Sequence, residues 1–155
     1  KIPPQTPTMI IGSRGASMIR AITVAALCTL SPFAHAQEIT GEWAGRYICN
    51  QGVTQLHLTI QKTGAGKGIT ATFNFGPPPE NPDVPKGAYA MRGTYDPATR
   101  RMKLEGERWL KQPIGYVMVG LDGKVAQTGE NITGYIPDLL GCTDFEVRRT
   151  AELIG

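Results

Sequence analysis

From residue 37 onward the chain repeats one pattern: apolar and polar residues alternate with a period of two, and every eight to twelve residues Gly, Pro, Asn or Asp breaks the run. No helix-period stretch appears after residue 37 and no internal repeat is visible. A chain so patterned can bury one face of each strand and little else, so the fold class is all-β. Eight runs qualify: about 42–49, 54–62, 69–76, 88–95, 100–110, 116–121, 130–136 and 142–149. Inward positions include Trp43, Tyr47 and Cys49 on the first, Leu56, Leu58 and Ile60 on the second, Ala71, Phe73 and Phe75 on the third, and Phe145 and Val147 on the last. Gly106 marks an expected bulge, because Trp109 falls on the polar parity of the fifth run. The sixth run, Tyr116 to Leu121, is apolar on both parities and reads as buried or ligand-facing on both sides; Asp122-Gly123 reads as the turn that follows it.

Eight short strands and tight turns imply a single eight-stranded antiparallel up-and-down barrel, with a two-sheet sandwich as the alternative. The cysteines bear on the strand count. With an even count the first and last strands lie antiparallel, and the end of the first comes beside the start of the last, where Cys49 and Cys142 stand. Carried along the strands, that register sets Trp43 opposite residue 148, beside Arg149.

Not all 155 residues belong to this domain. Residues 1–17 precede Met18, have no apolar periodicity, and read as a leader upstream of the natural start. Residues 18–36 read as a signal peptide: a basic start at Arg20, an apolar run from Ala21 to Leu30, and Ala34-His35-Ala36 for cleavage before Gln37. The run is too short to cross a bilayer, which takes about 20 residues, and Leu27 before Cys28 is wrong for a lipid anchor. Residues 37–155 are then the β-barrel domain, periplasmic or secreted. Lys1, Arg14 and Arg20 leave with the leader, so 13 Lys and Arg face 13 Asp and Glu in the exported part. A neutral domain lacks the electrostatic footprint of nucleic-acid binding and of a polybasic membrane attachment. Cys49 and Cys142 remain, and two cysteines in an exported domain imply one disulfide, worth about 4–5 kcal/mol on the chain-entropy model for so long a loop.

In layout and in Gly41-Glu42-Trp43 the chain resembles the calycin barrels: lipocalins, avidins, fatty-acid-binding proteins and some periplasmic inhibitors. That group carries Gly-x-Trp on its first strand and a basic side chain of the last strand across the indole. The resemblance implies that Arg148 or Arg149 lies over Trp43 as a cation–π lid on a closed end. Tyr47, Cys49 and Gly52 also resemble the opening of periplasmic lysozyme inhibitors. Too few residues follow Arg149 for the lipocalin helix, and the extra tryptophans of an avidin pocket are missing, so no ligand carries over.

Catalytic and metal chemistry finds little to build on. His57 is the one histidine of the exported part, with no Cys-x-x-Cys and no His pair beside it. Gly64-Ala65-Gly66-Lys67 lacks the first Gly of a phosphate loop, and Gly68 stands where Ser or Thr binds magnesium. Glu105 and Glu107 share a strand face and form the one candidate acid/base pair, flanked by Lys103 and Arg108 as a solvated surface is. Nothing calls for a cofactor or a metal. Two groups of residues suit binding instead. Tyr89, Met91, Tyr95, Trp109, Tyr116 and Met118 fall on strands four to six and read either as the lining of a barrel mouth or as ordinary packing. Pro77, Pro78, Pro79, Pro82 and Pro85 make a pre-ordered loop that reads either as an insert for a partner's cleft or as a spacer. The expected function is an exported module binding a small apolar molecule or a protein surface. The alternatives are a hydrolase inhibitor working through the Pro-rich loop, and a small hydrolytic enzyme.

Overall fold

A computed structural model describes residues 38–151. The leader at 1–17, the signal at 18–36 and the expected cleavage point lie outside the described residues. Eight strands follow in order: β1 (Gly41–Cys49), β2 (Gly52–Lys62), β3 (Gly68–Gly76), β4 (Gly87–Asp96), β5 (Arg101–Lys111), β6 (Leu121–Val125), β7 (Asn131–Tyr135) and β8 (Asp144–Ala151). Each pairs antiparallel with the next, and β1 pairs antiparallel with β8, so the sheet closes into one up-and-down barrel rather than a sandwich. Closure follows from the alternation. Every strand turns one apolar face inward, and a closed sheet leaves no unpaired edge to solvent.

The interior is filled. Trp43, Leu56, Leu58, Ile60, Phe73, Met91, Leu104, Leu121, Val125, Ile132 and Val147 are completely buried. Three aromatic contacts run through this core: Tyr47 edge-on to Phe73 at 5.3 Å, Phe73 stacked on Tyr89 at 4.5 Å, and Tyr89 edge-on to Trp109 at 5.1 Å. The bulge expected near Gly106 is present. Gly106 pairs with Met91 and Arg108 with Ala90, which leaves Glu107 as the extra residue and sets Trp109 opposite Tyr89.

Two expectations are corrected. Residues 116–121 do not form the sixth strand, and Asp122-Gly123 is not a turn: β6 begins at Leu121, and the Asp-Gly pair lies inside it. Gly123 pairs with Gly134 of β7, and the Phe145 ring covers both. A Cβ on Gly123 would come within 2.7 Å of Phe145 Cζ, and one on Gly134 within 2.1 Å of Asp122 O. This glycine therefore allows a close backbone approach under an aromatic ring, a use that looks like a turn signal in sequence. The second correction is one of register. Trp43 pairs with Arg149, not residue 148. Direct partners in an antiparallel pair point to the same side, and Trp43, Phe145 and Val147 all point in. Cys142 is not a direct partner of Cys49; it sits in the loop just before β8 and bonds Cys49 from there, across 93 positions of sequence.

Candidate functional site

The two ends of the barrel are built differently. One end receives the start of β1, the short connections after β2, β4 and β6, and the N-terminal segment. There Trp43 Nε1 donates to Ile39 O at 3.0 Å, and Ile39 is itself completely buried. Arg149 lies over the indole, its guanidinium carbon 4.2 Å from the ring centroid. It donates to Thr40 O at 2.9 Å, to Gly129 O at 3.1 Å and to Glu38 O. One side chain thus ties the N-terminal segment to the β6–β7 turn and shuts this end. Arg148, next in sequence, is exposed on the outer face.

The other end carries the three long connections, 77–86, 112–120 and 136–143. In the second of these, Pro113, Ile114, Gly115 and Tyr116 form a turn closed by Tyr116 N donating to Pro113 O at 3.2 Å. Gly115 has φ 80°, the left-handed value that such a turn needs at its third position. Ile114 at the tip is wholly exposed, at 101%. The loop is pinned from below: Tyr89 Oη donates to Val119 O at 3.0 Å and accepts from Val119 N at 3.2 Å. The third connection is pinned to β1 by the disulfide, by Thr143 N donating to Ile48 O at 3.0 Å, and by Asn50 Nδ2 donating to Leu140 O at 3.3 Å. Leu140 is 93% exposed and Val117 60%. Between these two loops opens a cleft of about 380 Å³, lined by Tyr47, Gln51, Tyr116, Val117, Val119 and Leu139 with the disulfide and Asn50 at its edge. That volume lies at the lower part of the range of ligand sites, roughly 300–1,000 Å³.

No charged side chain lines the cleft. Burial pushes the Tyr47 phenol above its ordinary range, against the opposing hydrogen bonds that it shares with Thr54 and Gln51. The Tyr47 phenol therefore stays neutral across the physiological range. Phe75 stacks on Tyr116 at 5.4 Å between ring centroids, so the aromatic column of the core continues up to the mouth.

The six aromatic and methionine candidates do not line one cleft, although Tyr89 and Trp109 touch. Tyr89 and Met91 are core side chains, and Tyr95 is buried toward the sealed end, within electrostatic reach of Glu38, Arg100 and Arg149. Trp109 and Met118 pack half-buried against the core, and Tyr116 alone of the six lines the cleft. The Pro-rich loop folds back onto the barrel. Asn81 Nδ2 donates to Gln51 O at 2.6 Å and Val53 O at 3.1 Å, Pro78 and Val84 are buried, Pro77 is half-buried, and Pro79, Pro82 and Pro85 are exposed. Pro78, Pro79 and Glu80 lie along the outer face of β1, β2 and β8, not across the mouth. Glu105 and Glu107 sit on the exposed outer face, within 3.7 Å of Lys103 and 3.5 Å of Arg92 respectively. Among the described residues no three His, Cys, Asp or Glu side chains gather.

Ile114, Leu139, Leu140, Asn50 and Gln51, which the strand pattern did not single out, make the site with Val117 and Val119 of the run expected to be buried or ligand-facing and with Tyr47 of the first strand. A signal for them existed. Leu139-Leu140 lies inside a turn-forming stretch, and Ile114 sits between Pro113 and Gly115, where apolar side chains have no strand face to bury. No family model, no curated protein and no solved structure matches the chain.

Proposed function

We propose that this is an exported binding module of calycin-like build that recognises a protein partner through the open end of its barrel. The observation that carries this is the pair of exposed apolar loop tips beside the cleft. A molecule confined to about 380 Å³ between the loops leaves Ile114 and Leu140 bare, whereas a protein surface covers them together with the cleft. The filled interior weighs in the same direction, since the barrel holds no deep chamber of the lipocalin kind among its buried side chains. Export is supported by the Cys49–Cys142 bridge, which suits an oxidising compartment, together with the Ala34-His35-Ala36 pattern.

The test places a photoreactive benzoylphenylalanine at position 114, 140 or 98 in the producing cells. Positions 114 and 140 are expected to capture the same protein, and position 98, in the turn at the sealed end, to capture none. Equal capture at all three positions contradicts the proposal. A small molecule that travels with the purified protein in native mass spectrometry, and is lost in Val117→Asp, favours a second reading, a small apolar ligand seated in the cleft; the cleft volume is what supports it. If the partner is a hydrolase, the exposed Pro79, Pro82 and Pro85 form a second contact. Substituting them one at a time, not deleting residues 77–85, probes that contact, because Pro78 and Val84 are buried.

A further inference from the structure

The polar groups at the cleft are spent unevenly. The Thr54 hydroxyl donates to Gly52 O at 3.3 Å, so toward Gln51 it accepts. This assigns Gln51 Nε2 to the 3.0 Å contact with Thr54 Oγ1, and the same nitrogen donates to Tyr47 Oη at 3.2 Å. Both N–H groups of Gln51 are thereby used, and its Oε1 accepts no hydrogen bond from the described residues. Asn50, exposed at the rim, gives Nδ2 to Leu140 O, and its Oδ1 lies against Gly141. The cleft thus presents one unspent side-chain amide acceptor, Gln51 Oε1, above an apolar floor that ends in the Tyr116 ring, and no charge.

That combination excludes most occupants. An anion meets an acceptor and no cation, and a cation finds no carboxylate. An aliphatic side chain leaves Gln51 Oε1 without a partner, at a cost when water is expelled. A flat apolar group with one donor satisfies everything at once. We infer that the cleft takes an aromatic side chain of the partner that carries a single donor, tryptophan above all, with its ring against Tyr116 and its N–H given to Gln51 Oε1. This rests on the protein-binding reading above and names the group that enters.

The experiment compares indole with 1-methylindole, which has the same flat body and no donor, by NMR titration of the folded protein. Indole is expected to shift the amide signals of residues 47–51 and 115–119, and to bind about fivefold tighter than 1-methylindole, the size of one neutral hydrogen bond. In Gln51→Met, which keeps the shape and removes the acceptor, the difference is expected to fall below about twofold. Equal binding of the two probes at the mouth of the wild type, a comparison that needs no variant, overturns the donor inference and leaves the mouth as a binding surface. Shifts confined to other parts of the barrel overturn both.

Discussion

Replacing Arg149 with alanine probes the sealed end, and its cost can be worked from the contacts. The side chain makes two part-buried hydrogen bonds, to Thr40 O and Gly129 O, an exposed one to Glu38 O, and the cation–π contact with Trp43. Enclosed hydrogen bonds to a charged group contribute about 1.5–3 kcal/mol each, but here the freed carbonyls regain some water, so about 1 kcal/mol for each part-buried bond is the better figure. The exposed bond is left out, and the cation–π contact adds about 1 kcal/mol. The loss is then about 3 kcal/mol, or a Tm lower by roughly 10 °C for a domain of this size. Arg149→Lys keeps a charge over the indole but is a point donor that cannot reach three carbonyls in a fork, so about half the loss is expected. Arg148→Ala, one residue away on the outer face, should cost under about 0.5 kcal/mol. Urea unfolding followed by tryptophan fluorescence measures all three. Equal losses for Arg148→Ala and Arg149→Ala, or a loss under about 1 kcal/mol for the latter, would refute the reasoning.

Further outcomes follow from the same contacts. Removing the disulfide with Cys49→Ala and Cys142→Ala together should cost about 2–5 kcal/mol, and hydrogen exchange should rise first in the loop at 136–143 that the bridge ties to β1. Gly134→Ala has no room for its Cβ, 2.1 Å from a backbone oxygen, and should destabilise the barrel by more than about 2 kcal/mol in urea titrations; full stability would contradict the close β6–β7 approach. Burial holds the Tyr47 and Tyr89 phenols above their ordinary value of 10.0, while the unfolded chain ionises them near that value. Their contribution is therefore complete below about pH 10 and is lost as pH rises past it, because the unfolded state then sheds protons that the folded state keeps. Tyr47→Phe and Tyr89→Phe should each flatten the alkaline limb of a stability–pH curve, and an unchanged limb would show that the phenols are not withheld from solvent.

How much of this was legible depends on what each residue faces. Strand alternation is a local consequence of a closed sheet, so Leu56, Leu58 and Ile60, or Phe73 and Phe75, announce their inward face directly. The lid on Trp43 was narrowed to two arginines; parity alone selects Arg149, because partners across an antiparallel pair share a side. The mouth was harder to read. Tyr116, Val117, Met118 and Val119 look like a buried strand because apolar residues usually are buried, yet the type of turn at Ile114-Gly115 lifts this segment out of the sheet. Tyr89 and Tyr95 have the composition of a ligand site, but Tyr89 spends its hydroxyl on Val119 and Tyr95 lies toward the opposite end. Periodicity carries the face of a side chain and not its height along the barrel, and a mouth is defined by height.

Crystals pressurised with xenon test most directly the division between a filled interior and an open apolar mouth. Xenon enters apolar space large enough to hold it. It should bind in the cleft among Tyr47, Tyr116 and Val119, and nowhere among Trp43, Leu58, Phe73, Met91 and Leu104. Xenon bound deep in the barrel, with the mouth left empty, would contradict recognition at the rim and return the function to a molecule carried inside.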